Sequence, residues 1–228
     1  MATPPAASHA DQVPETRIPL SRERVLRAAI GMADAGGIAS ISMRKLAQVL
    51  GVEAMSLYHH VANKDDILDG ILDLVVGEIA PPSPDGAWKD ALRRSAVSAH
   101  DVLERHPWAC ALMMSPARAR PARLRYIDSV LGRLRQAGFS AAMTDHAYHA
   151  LDSHILGSTL WEAGYAAGVE AAPDMASTIV GTLSVDEYPY LIEHIHQHQS
   201  PAGDDDIEEF EFGLDLILDG LERMLDQA

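Results

Sequence analysis

Apolar residues recur three and four positions apart in every long segment of the chain, and no apolar–polar alternation of period two persists. That spacing places an apolar stripe on one side of a helix, so the pattern predicts an all-α protein. Ser21 precedes the run Val25, Leu26, Ala28, Ala29, Met32 and Ala33, which predicts a first helix from about Ser21 to the Gly36-Gly37 pair. A short second helix is expected over Ser42 to Leu50, closed by Gly51, and a third over Ala54 to His60. Asn63 is placed to cap a fourth from Lys64 to Ala80, where Pro81-Pro82-Ser83-Pro84 breaks the chain. Further helices are expected over 86–105, 107–114, 119–137, 142–167, 187–198 and 205–226. Gly168 to Val185 is ambiguous, and Ser200-Pro201-Ala202-Gly203 reads as a linker.

The segment SMRKLAQVLGVEAMSLYHHVANK, Ser42 to Lys64, carries the most information. Ala47 is small enough for two helices to cross closely, and Gly51 allows a left-handed turn four residues later. Val52 and Leu57 then act as apolar plugs that hold the second helix on the first. Together they specify a helix-turn-helix, which sets its second helix in the major groove while neighbouring helix ends grip phosphates. The exposed face would offer Met55, Ser56, Tyr58, His59 and His60, with Arg44 and Lys45 on the preceding helix and Lys64 beyond. Arginine can read guanine with two hydrogen bonds, hydroxyls can bond to phosphate, and methionine can touch a thymine methyl.

On these residues the chain resembles the tetracycline-repressor (TetR) family of transcriptional regulators over positions 20 to 70, where LYHHVANKDDIL matches a specific family signature. The resemblance implies that Arg44 meets a base, that Ser56, Tyr58 and Lys64 hold phosphates, and that His59 and His60 lie at or beside the groove. Ala54, Met55 and Ala62 depart from the family's pattern, which implies a different operator sequence. Farther on, LRQAGFS at 134–140 and the His154, Gly157, Glu162 pattern match the family's C-terminal domain in outline. The expected organisation is therefore a tail over 1–16, a three-helix DNA-binding domain over 17–66, and a larger helical domain for ligand binding and dimerisation over 67–228.

Charge refines this division. The net charge is -15, yet residues 17–66 hold seven Lys/Arg against five Asp/Glu, whereas 67–228 hold eleven against twenty-six. A phosphate backbone would be repelled by the later residues, so contact with DNA must come from the first third. The acidic excess is expected to be a solvated surface. With 47% hydrophobic and 22% charged residues the composition is that of a globular protein, and one cysteine, Cys110, excludes an intrachain disulfide and suits a reducing cytoplasm. Residues 1–16 lack a signal-peptide pattern, and no window approaches the roughly 20 apolar residues of a membrane span, so no membrane partner is expected.

A single helix-turn-helix reads few base pairs, so a homodimer on a palindromic operator is expected. Segments 142–167 and 205–226 carry stripes that suit either a monomer core or an interface; in the resembling family such helices form a four-helix bundle. His100, Trp108, Met113, Met114, Tyr126, His149, Ser153 and Trp161 are candidates for a cavity taking a small hydrophobic or amphipathic inducer, because aromatic and methionine side chains give adaptable contact area. The resemblance implies that this inducer would release a repressor from DNA. The alternative is a helical metal-binding protein or enzyme built on the His-rich segments: His146, His149 and Asp152 are spaced along one helical face, as are His194 and His198. Neither a complete metal-ligand set nor a phosphate loop or nucleophile elbow is present, so no enzyme, metal or cofactor is expected.

Overall fold

The computed structural model describes residues 19–115, 120–171, 181–199 and 208–227. The expected tail and the 200–203 linker lie outside these residues, as does most of the ambiguous segment after Ala171. The described residues form ten α-helices and one short 3-10 turn, with no strand among them, in agreement with the all-α expectation.

The first four helices follow their local signals. α1 (Arg22–Gly36) is capped by the Ser21 hydroxyl, which accepts from Arg24 N, and α2 (Met43–Leu50) by Ser42, which accepts from Lys45 N. Gly51 ends α2 in the left-handed region at φ 68°, ψ 35°, and its N–H closes the helix on Ala47 and Gln48 carbonyls. α3 (Ala54–Leu57) is shorter than expected. At Leu57 the chain tightens: His60 N and Val61 N both bond to the Leu57 carbonyl, so Tyr58 to His60 form a turn that aims their side chains differently from a continuing helix. α4 (Lys64–Val76) starts at Asn63, whose side chain accepts from Asp66 N, and ends before Gly77, short of the expected Ala80.

Beyond the proline cluster lie α5 (Trp88–Arg105), α6 (Trp108–Met113), α7 (Pro121–Gln136), α8 (Ala141–Ala171), α9 (Pro189–Gln199) and α10 (Glu209–Asp226). α8 runs past the expected 167 and, at 31 residues, is about 46 Å long. One continuous apolar core extends from Val25 and Leu57 in the first helices to Leu214 and Leu218 in α10. α4 crosses residues 66 and 67 without a break, packing on α1 on one side and on α6 and α7 on the other.

α5, α8 and α10 pack on one another. Phe210 of α10 lies between two imidazoles, stacked 3.9 Å from His100 and 5.0 Å from His154. The His154 Nε2–H donates to the Phe210 carbonyl at 2.8 Å. This approach leaves no room beside Gly213, where an added Cβ would run into the His154 ring. Much of the acid in α10 is paired: Lys89 holds Asp219 and Glu222, and Arg93 holds Glu211 and Asp215. These carboxylates stay largely exposed, as expected of a solvated acidic face, and they repeat at helical spacing toward the cations of α5.

Candidate nucleic-acid interface and effector cavity

The helix-turn-helix is held from beneath by its plugs and braced by one ionic knot. Leu46, Ala47 and Leu57 are buried, which fixes α3 across α2. Arg22 makes two hydrogen bonds to the Asp66 carboxylate, at 2.9 and 2.7 Å, and a third to the His60 carbonyl at 3.0 Å. Asp66 also accepts from Ala62 N at 2.9 Å. α1, the turn after α3 and the start of α4 are thus joined at one carboxylate.

The Arg22 guanidinium, with the Ala62 N–H, holds the Asp66 carboxyl down at about 2. A depressed carboxylate stabilises the fold fully above its ordinary value of 3.8, and the benefit is lost as the pH falls toward 2. Asp66→Ala should cost about 1 kcal/mol near neutral pH, discounted for the partial exposure of the pair. Melting curves of the two proteins should converge as the pH is lowered from about 4 to about 2; a gap that stays constant would show that the charge is not responsible.

Above this brace Arg44, Lys45, Met55, Tyr58, His59 and Lys64 are exposed and Ser56 and His60 half-buried. Lys64 Nζ donates to the Ile38 carbonyl at 3.2 Å. An ammonium has three protons, so this bond ties Lys64 to the turn after α1 and leaves donors for another acceptor.

The expected ligand residues are dispersed. A half-open space of about 20 Å³ lies between α5, α7 and α8, lined by Leu92, Ser95, Ala96, Tyr126, Val130, Tyr148, Leu151, Asp152 and Ile155. Of the eight candidates Tyr126 lines it. Ser153 and Trp161 instead border an open groove on α8 and α10, where Trp161 is 69% exposed. His100 is engaged by Phe210 and donates to Glu162 at 2.9 Å. Met113 is in the core, Met114 is 65% exposed, and the exposed His149 donates from Nδ1 to the Asp145 carbonyl of its own helix.

Trp108 has another use: its indole N–H and the His106 Nδ1–H both donate to Asp34 Oδ1, each at 2.7 Å. This bond joins α1 to the junction of α5 and α6. Among the described residues, no three His, Cys, Asp or Glu side chains converge on a metal-sized site, and no helix is long and apolar enough to cross a membrane.

Among the polar cavity residues, Ser95 and Tyr148 carry no mark in the sequence, whereas Asp152, marked there by its spacing from His149, lines the cavity. Tyr148 and Asp152 are one turn apart on α8, a spacing visible in the chain but common in helices. Burial pushes the phenols of Tyr126 and Tyr148 each up to about 12, and it raises the Asp152 carboxyl while Arg123 and His149 pull it back.

A braced helix-turn-helix joined through α4 to a larger helical body defines a DNA-binding transcriptional regulator of the helix-turn-helix type. Residues 80–225 match the family described as tetracyclin repressor-like, C-terminal domain, and the chain belongs to the TetR family of transcriptional regulators. It is 36% identical over 158 residues to an HTH-type transcriptional regulator of Saccharopolyspora erythraea, covering 67% of each chain. It is 31% identical over 218 residues to the HTH-type transcriptional repressor DrrR1 of Streptomyces coeruleorubidus, covering 91% of this chain and 79% of that one. Among solved structures, Streptomyces coelicolor ActR in complex with actinorhodin aligns at a TM-score of 0.72 and 27% identity, covering 91% of this chain and 99% of that one.

Proposed function

We propose that this protein is a homodimeric, cytoplasmic repressor that holds a palindromic operator and leaves it when a small hydrophobic or amphipathic molecule enters the cavity between α5, α7 and α8. In this reading residues 17–66 read DNA and 67–228 bind ligand and dimerise. Arg44 meets a base, Lys45, Ser56, Tyr58 and Lys64 contact phosphates, Met55 reaches a thymine methyl, and His59 and His60 lie beside the groove. The similarity to a named repressor supports the sign of control, and that to ActR, whose structure contains actinorhodin, supports control by a small molecule.

The observation that carries the proposal is the position of α4. At its start Asp66 holds Arg22 and the turn after α3. One turn on, Asp69 pairs with Arg120, and Asp73 accepts from Ala122 N at 2.8 Å, at the N-terminus of the cavity-lining α7. A ligand that shifts α7 therefore acts on a helix bonded to the reading head, and it changes DNA affinity by as much as it prefers one seat of α4 over the other.

The test is a gel shift of the protein on DNA from its own upstream region. Arg44→Ala should cost about 1–3 kcal/mol and relax preference at one operator position, whereas Tyr58→Phe should weaken all operators alike. Affinity should fall roughly ten-thousandfold between about 50 and about 200 mM salt, as about eight phosphate contacts across a dimer require. Uniform weakening by Arg44→Ala, or a flat salt response, would contradict these roles.

A further inference from the structure

We propose that the cavity between α5, α7 and α8 receives a protonated amine, its ammonium seated against Asp152 and its apolar body among Leu92, Val130 and Ile155. This rests on the reading of that cavity as the effector site and adds the chemical class of the effector.

Asp152 is the one charged side chain among those lining the cavity. The polar groups around it do not neutralise it. Tyr148, one turn earlier on α8, offers its phenol. Ser95 has already committed its hydroxyl proton to the Ala80 carbonyl at 2.8 Å. Two basic groups are near enough to be felt, Arg123 on α7 and His149 on α8, but both act through space, and His149 is turned to the Asp145 carbonyl. A half-buried carboxylate whose hydrogen bond comes from a neutral phenol still lacks a counter-charge, and a cation brought by the ligand would supply it. Burial acts on this carboxyl in the same sense, raising its pKa.

Size narrows the choice of cation. The free volume of about 20 Å³ is enough for one water. An ammonium group is about as large as a water molecule and donates three hydrogen bonds, to the carboxylate and to phenol oxygens; tyrosine rings also favour a neighbouring cation. The head group thus fits the existing space, and the remainder of the ligand enters by displacing side chains of α7 and α8. Displacement of α7 bears on its N-terminal bonds to α4. A neutral ligand would leave Asp152 without a counter-charge, and an anion would be repelled.

Phenethylamine, phenethyl alcohol and hydrocinnamate share one apolar body and differ in head-group charge. Calorimetric titration of the full chain at neutral pH should show the amine binding about tenfold more tightly than the alcohol, with hydrocinnamate weakest. In Asp152→Asn, which keeps the shape of the side chain, the amine and the alcohol should come within about twofold of each other. Tyr148→Phe should retain the preference for the amine, and a thermal melt of each variant establishes that it is folded. Equal affinity for amine and alcohol in the unaltered protein, an amine preference that survives Asp152→Asn, or binding of none of the three probes would each overturn the proposal. A gel shift without probe separates the two readings: loss of operator binding there counts against the regulator itself, whereas intact operator binding without amine preference counts against the amine alone.

Discussion

Leu160→Glu combined with Leu216→Glu should yield a folded monomer that binds its operator at least about a thousandfold more weakly, toward the level of nonspecific binding. Both leucines are exposed in the single chain, so a charge at either position costs the monomer little. Each lies in an apolar patch that the other described residues leave uncovered. On α8 Leu160 stands with Trp161 and Tyr165; on α10 Leu216 stands with Phe212 and Met224, spaced four and eight residues from it. Pairing these patches across a two-fold axis would bury them and set two reading heads about one turn of DNA apart, whereas four carboxylates in the same seam would repel and would lack partners. Light scattering should report half the mass, circular dichroism the same helix content, and a gel shift the loss of affinity. A double variant that remains a dimer would place the interface elsewhere.

Leu57→Ala should have the largest effect on stability of any single change in the reading head, about 2–5 kcal/mol. Leu57 is 0% exposed and ends α3 at the point where the chain turns back toward α4. Shortening it leaves a void beneath the groove-facing side chains, and the carbonyl of the same residue anchors the turn through His60 N and Val61 N. DNA binding should fall with stability. Because the core is continuous through α4, denaturant unfolding should show a transition with a lowered midpoint. A single transition unchanged in midpoint would show that the plug contributes little.

The reading head was legible because its signals are local. Ser21, Ser42 and Asn63 are capping residues in the sequence and caps in the structure, and Gly51 has the left-handed backbone its position required. The misjudged end of α3 has a local cause too: Tyr58, His59 and His60 fit a continuing helix by propensity, and the tight bonds to the Leu57 carbonyl prevail once Val61 is drawn into the core. The cavity was poorly legible because it depends on which helices meet. Aromatic and imidazole groups suit a ligand site and equally suit packing; His100 serves a stack with Phe210, and Trp108 a bond to Asp34. No spacing within α5, α7 or α8 shows that Ser95, Tyr126 and Asp152 face one space, since that follows from the crossing of three helices.

The shared oxygen of Asp34 bears on how the head can tilt. His106 and Trp108 are each 8% exposed, so a rotation that draws α1 away strands an imidazole and an indole N–H together, where water has little access to replace the lost acceptor. The two losses coincide because one atom serves both donors. Small drifts of the head are accordingly resisted as if by a catch, and any agent that moves it must first supply the free energy of releasing both bonds at once.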